Sequence, residues 1–280
     1  MDIKYKISKL KNSKIEELKD SVSVEEPLEM RLKYKTNNKW EVQNISITMR
    51  TPGNDEDLLR GFLYNERIIN NMNEIDSIEH QGDISGDYNL QNIIEATINK
   101  TDNIEIGKLK RNFVTNSSCG VCGKTSLDSI EVIKNNKTDL SYPQIKEEIV
   151  LRSPKLLINE QSEFAKTGGI HASALVDNNG KVVATREDVG RHNALDKLIG
   201  YTITNNLLNP QKQFIACSGR LNFELVQKGL MANIGVMLGV GAPTSLAIDL
   251  AKRFDMTLLG FVKEHSFNIY SNKNRIVLGS

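Results

Sequence analysis

The chain has 280 residues, enough for one large domain or two small ones, and its 39% hydrophobic and 25% charged residues are an ordinary soluble globular balance. Its 36 basic and 35 acidic residues leave a formal charge of +1, which gives no electrostatic ground for nucleic acid or a membrane surface as the main partner. Three cysteines, Cys119, Cys122 and Cys217, exclude a disulfide framework and fit a reducing, cytoplasmic setting, where a lone C-x-x-C pair is redox-active, metal-binding or catalytic.

The first 20 residues are lysine-rich and polar, which predicts a frayed or loosely attached start with no secretory signal. From Ser21 to Met49 the pattern is extended, and Ile45, Ile47 and Met49 alternate with Ser46 and Thr48 as in a half-buried strand. Thr51-Pro52-Gly53 breaks it. Asn54 and the acids Asp55, Glu56 and Asp57 then open a helix whose apolar face is Leu58, Leu59, Phe62 and Leu63. Residues 70–112 mix short strands and polar loops. The glycine-bearing stretch 116–125 lacks any apolar period and is expected to be a mobile surface loop.

The second half is more regular. Pro154 to Lys166 reads as a helix stopped by Gly168 and Gly169. Ala172–Val176 and Lys181–Thr185 flank the hairpin signal Asp177-Asn178-Asn179-Gly180. Helices are expected over Asn193–Asn205 and Asn222–Asn233, and strands over Phe214–Cys217, Gly235–Val240, Met256–Val262 and Phe267–Tyr270. Pro243 suits the first turn of a helix running to Phe254. The apolar stretch Gly229–Ala251 is long enough to span a bilayer, but Asn233, Pro243 and Asp249 make it read as helix, strand and helix. The pattern implies an α/β fold with a parallel or mixed sheet: residues 1–145 as an N-terminal α+β portion carrying the cysteine loop, and 146–280 as a C-terminal α/β domain.

Ser117-Ser118-Cys119-Gly120-Val121-Cys122-Gly123-Lys124 is the strongest local feature. A glycine after each cysteine lets backbone N–H groups approach a sulfur anion, and Lys124 favours thiolate over thiol. A thiolate can take the outer sulfur of a donor persulfide, and the second cysteine can then release it by forming a disulfide. A zinc site would need a second cysteine pair, and only Cys217 remains; that residue ends an apolar strand and reads as a small core residue. A thioredoxin-like motif would need a βαβ setting not seen here.

A second constellation lies at strand-to-helix junctions. It comprises His171 after Thr167-Gly168-Gly169-Ile170, Arg191 and His192 within 186–193, Arg220 after Ser218-Gly219, and Thr244 after Gly241-Ala242-Pro243. Ligands of wound α/β sheets bind beyond the carboxyl ends of strands, and helix N-termini with arginines there favour phosphate. The alternative is that Asp188, Arg191 and His192 form a cap and a satisfied surface cluster. Neither a Walker A nor a G-x-G-x-x-G loop occurs.

These blocks, together with Met49-Arg50-Thr51-Pro52-Gly53, Asp-Val-Gly-Arg-His-Asn-Ala-Leu-Asp-Lys and Ala-Pro-Thr-Ser-Leu-Ala, stand in the order of the formate dehydrogenase accessory sulfurtransferase family, FdhD/NarQ, which the chain resembles from about residue 20 onward. The resemblance implies a sulfurtransferase that takes persulfide sulfur from a cysteine desulfurase and passes it to the molybdenum bis-molybdopterin guanine dinucleotide cofactor of formate dehydrogenase. It implies Cys119 as the persulfide carrier, Cys122 as its assistant, and cofactor contacts along Phe261, Val262, Lys263, Glu264, His265 and Ser266. Glu264 and His265 stand where small or basic residues are expected. It also implies a cytidine deaminase-like three-layer C-terminal domain, a homodimer, and no structural metal. Deaminase chemistry is disfavoured, because Ala172-Ser173 follow His171 where H-x-E is required and the C-x-x-C lies upstream without its proline. A rival reading is a non-enzymatic cofactor chaperone that needs neither loop cysteine.

Overall fold

The computed structural model describes residues 1–84, 88–99 and 142–279. The stretch 116–125, with Cys119 and Cys122, lies outside these residues, and so does most of the expected boundary region near 145.

The chain opens with an antiparallel hairpin, β1 (Asp2–Lys11) and β2 (Lys14–Ser23), instead of the expected frayed start. Asn12 and Ser13 adopt φ of 51° and 60°, the left-handed pair that a two-residue hairpin turn requires. The hairpin rests on a later helix, with the Met1 amine on Glu163 (2.6 Å) and Ser23 Oγ on Thr167 Oγ1 (2.7 Å). β3 (Glu26–Thr36), β4 (Lys39–Arg50), β5 (Ile75–Gln81) and β6 (Ile93–Ile98) then form a four-stranded sheet in the order β4-β3-β6-β5. A register shift between Met30 and Arg31 corrects the expected alternation in β4. Ile45 is buried, but past the bulge Ile47 and Met49 face outward, 55% and 54% exposed.

Helix α1 (Asp55–Asn65) covers this sheet with Leu58, Leu59 and Leu63, as its apolar spacing predicts. The second sheet has six strands: β8 (His171–Asp177), β9 (Val182–Asp188), β10 (Gln213–Cys217), β11 (Val236–Gly239), β12 (Thr257–Lys263) and β13 (Ser266–Ser271). Their order is β13-β12-β11-β10-β8-β9; β10, β11 and β12 run parallel and the remaining pairs antiparallel, so the sheet is mixed.

Period-two alternation supplies both faces of this sheet. Leu175, Ile215, Met237 and Leu258 meet α4 (Arg191–Thr204), α5 (Phe223–Met231) and α6 (Ser245–Arg253) on one side. Ala174, Phe214, Ala216 and Leu238 meet α2 (Glu147–Asn159) on the other. The result is three layers. The helix expected over Pro154–Lys166 is in fact two, α2 and α3 (Ser162–Thr167), and Pro154 lies inside α2 rather than at its start. Pro243 likewise precedes the N-cap Thr244 of α6 instead of occupying its first turn. A short pair, β7 (Ile145–Lys146) and β14 (Ile276–Val277), joins the segment before α2 to the C-terminal end.

The two sheets share α1 and α4, which cross at Gly61 and Gly200. A Cβ on Gly200 would lie 2.0 Å from the Asp57 carbonyl oxygen, and one on Gly61 would lie 1.9 Å from that of Asp196. Only glycine permits backbones this close. Beside the crossing, Asp196 accepts Lys228 Nζ (2.7 Å) and Asn65 Nδ2 (2.6 Å), so the buried ammonium is paired and bonded.

Candidate functional site

The junction residues converge on one end of the six-stranded sheet. β10, β11 and β12 are parallel and end together, which brings residues 218–220, 241–244 and 261 side by side. Backbone bonds stitch them into a platform. Gly241 N–H donates to Gly219 O (3.3 Å), Leu221 N–H to Ala242 O (3.1 Å), Thr244 N–H to Leu221 O (2.9 Å) and Phe261 N–H to Gly241 O (3.1 Å). Because β8 runs antiparallel to β10, His171 at its start reaches the same end, and its partner across β9 is Asp188, just before α4.

His171, Arg191 and Gly219 pack together. A Cβ on Gly219 would come within 3.2 Å of the His171 ring and 3.8 Å of Arg191 Cδ, so the glycine leaves room for both side chains. Ser218 Oγ accepts the Ala172 N–H (2.9 Å) and lies 3.4 Å from His171 Nδ1. Burial, reinforced by the charge of Arg191 and the neighbouring His192, holds His171 below the ordinary histidine range. Arg191 Nε is buried with no hydrogen-bond partner among the described residues. His192 Nε2 lies 3.0 Å from Glu224 Oε2 and within hydrogen-bonding distance of Asn222, the side-chain N-cap of α5. The His192 contact and hydrogen bond depress the Glu224 pKa, so this carboxylate stays charged.

Arg220 and Thr244 are exposed on the platform rim. Phe261 is 44% exposed and takes φ of 52°, a left-handed conformation that costs a bulky residue energy. The rest of the 261–266 stretch does not join the cluster as side chains. Val262 is wholly buried in the core on the α2 side, which corrects its expected role as a contact; only its backbone is available. Lys263, Glu264, His265 and Ser266 are exposed around the β12–β13 turn.

Sequence reasoning passed over Asn222 and Glu224. The signal was present: an asparagine followed by an acid, just before the periodic apolar run Phe223, Val226 and Leu230, marks a helix start.

Fold and site together define an α/β protein with an anion-suited platform at the carboxyl ends of its parallel strands. The chain belongs to the FdhD/NarQ family, whose model matches residues 23–277. It is 37% identical over 274 residues to the sulfur carrier protein FdhD of Sulfurisphaera tokodaii, covering 98% of both chains. It is 38% identical over 275 residues to that of Streptomyces avermitilis, covering 98% of this chain and 95% of the relative. A crystal structure provisionally described as a formate dehydrogenase accessory protein from Desulfotalea psychrophila shares the fold, with a TM-score of 0.72, 21% identity and 99% coverage of both chains.

Proposed function

We propose that this protein is a sulfur carrier serving formate dehydrogenase, acting as a sulfurtransferase through a persulfide on Cys119. The observation that carries this reading is the family match over residues 23–277 in a chain that keeps Ser-Ser-Cys-Gly-Val-Cys-Gly-Lys at 117–124. A cysteine desulfurase supplies the sulfur. The Cys122 thiolate attacks the inner sulfur of the Cys119 persulfide, a Cys119–Cys122 bond forms, and the outer sulfur leaves with the electron pair as hydrosulfide. The acceptor is the molybdenum bis-molybdopterin guanine dinucleotide cofactor, bound as cargo.

The platform suits that cargo. Arg191 and Arg220 offer guanidinium groups to phosphate, neutral His171 offers a ring nitrogen, and the exposed Phe261 ring offers a face to a base or pterin. The three-layer C-terminal domain fits a cytidine deaminase-like architecture, and the working unit is a cytoplasmic homodimer.

Incubation with a desulfurase and cysteine should add one sulfur to the intact mass, on the peptide bearing Cys119. Cys119→Ala should abolish both this addition and the maturation of formate dehydrogenase. A Cys119→Ala/Cys122→Ala variant that still matures the enzyme would overturn the proposal in favour of a cofactor chaperone.

A further inference from the structure

The Met49–Gly53 block plays no part in the sulfur chemistry, yet Thr51 is 4% exposed and commits every polar group to the turn that opens α4. Its N–H donates to Asp188 Oδ2 (3.1 Å), its Oγ1 accepts from the Val189 N–H (3.0 Å), and its carbonyl accepts from Lys197 Nζ (2.8 Å). Asp188 is fully buried and also receives Lys197 Nζ (2.7 Å), the Gly190 N–H (2.8 Å) and Asn193 Nδ2 (3.1 Å). Only donors converge on it, so it serves as an ionised carboxylate. Asn193 ties back to β4, donating to the Met49 carbonyl (2.8 Å) and accepting from Thr48 Oγ1 (3.2 Å).

Only Val189 and Gly190 separate the last residue of β9 from Arg191, the first of α4. Both of their N–H groups are held by this network, one by Thr51 and the other by Asp188. The direction in which α4 starts, and with it the placement of Arg191 and His192, is therefore set from the end of β4, in the other half of the chain. We infer that Thr51 is a positioning residue: its hydroxyl fixes the β9–α4 turn so that Arg191 and His192 meet an anionic ligand on the platform. This rests on the proposed reading for the ligand, while the clamp can be measured without it.

The test compares Thr51→Val, which keeps the shape and loses the hydroxyl, with Thr51→Ser, which keeps the hydroxyl. Ser153→Ala is the control for lost stability, since Ser153 Oγ donates to the Ile149 carbonyl inside α2 on the opposite face of the sheet. Guanosine diphosphate is the probe, titrated at a temperature where all variants are folded. Amide exchange is read at Val189 and along the first turn of α4. Thr51→Val is expected to weaken binding by about tenfold and to speed exchange at Val189, whereas Thr51→Ser stays within about twofold of the parent. Ser153→Ala is expected to lose stability and leave both readouts alone. Should Thr51→Val fail to fold, Thr51→Ala takes its place. Unchanged exchange in the valine variant, unchanged affinity despite faster exchange, or a serine variant as impaired as the valine one would each overturn the inference. If the unmodified protein does not bind guanosine diphosphate, the ligand reading falls, and the exchange rates alone decide whether the clamp exists.

Discussion

Cys217 ends β10 with 3% of its surface exposed, and burial pushes its thiol up to about 11. At neutral pH it is a protonated core side chain and a poor nucleophile. Native protein treated with iodoacetamide at pH 8 should show no label on Cys217 by peptide mass spectrometry, and denatured protein should show full label. His171 gives a pH signature of its own. Its folded pKa lies below the ordinary 6.5 because burial and Arg191 oppose the charge, so below that pH the unfolded chain binds more protons than the folded one. Stability should therefore fall as pH drops below 6.5 and through the folded pKa. Urea denaturation across this range should show the parent losing ground to His171→Asn as the buffer is acidified.

Among the secondary elements, the α1–α4 crossing carries the sharpest expectation. Gly200→Ala would drive a methyl group to within 2.0 Å of the Asp57 carbonyl, and backbone on both sides leaves nothing flexible to yield. The expected cost is about 3 kcal/mol or more, read as a lower urea midpoint, because overpacking of rigid contacts typically costs 1–3 kcal/mol. The sequence disclosed α1, α4, α5 and the β8–β9 hairpin well, since apolar spacing, acids in the first turn and Asp177-Asn178-Asn179-Gly180 act locally. The β1–β2 hairpin was hidden by its lysines. Ile3, Tyr5 and Ile7 do alternate with Lys4 and Lys6, but the strands are mostly exposed, so burial left little mark on their composition. The outward turn of Ile47 and Met49 had no local signal, because a bulge is decided jointly by two strands.

At the scale of the whole molecule, the N-terminal hairpin is an appendage held mainly at exposed points, such as the Met1–Glu163 pair, whose side chains are 43% and 21% exposed. Surface ion pairs contribute little, so deleting residues 1–23 should lower unfolding free energy by no more than about 2 kcal/mol, measured by urea denaturation, with both sheets retained by circular dichroism. The junction residues His171, Arg191, Arg220 and Thr244 could be gathered from sequence because strand ends in such sheets share a level. The orphaned Arg191 Nε and the Glu224 contact could not, since they depend on how α4 and α5 start relative to each other.

The stitching of the strand ends has a consequence for how relatives diverge. Its bonds run from main chain to main chain, so they persist whichever side chains occupy the exposed 263–266 corner. Substitution there can retune the chemistry of the rim while the floor beneath keeps its contour. Glu264 and His265 are then a local dialect on a shared frame, and exchanging that corner between family members becomes a practical way to transplant cargo preference.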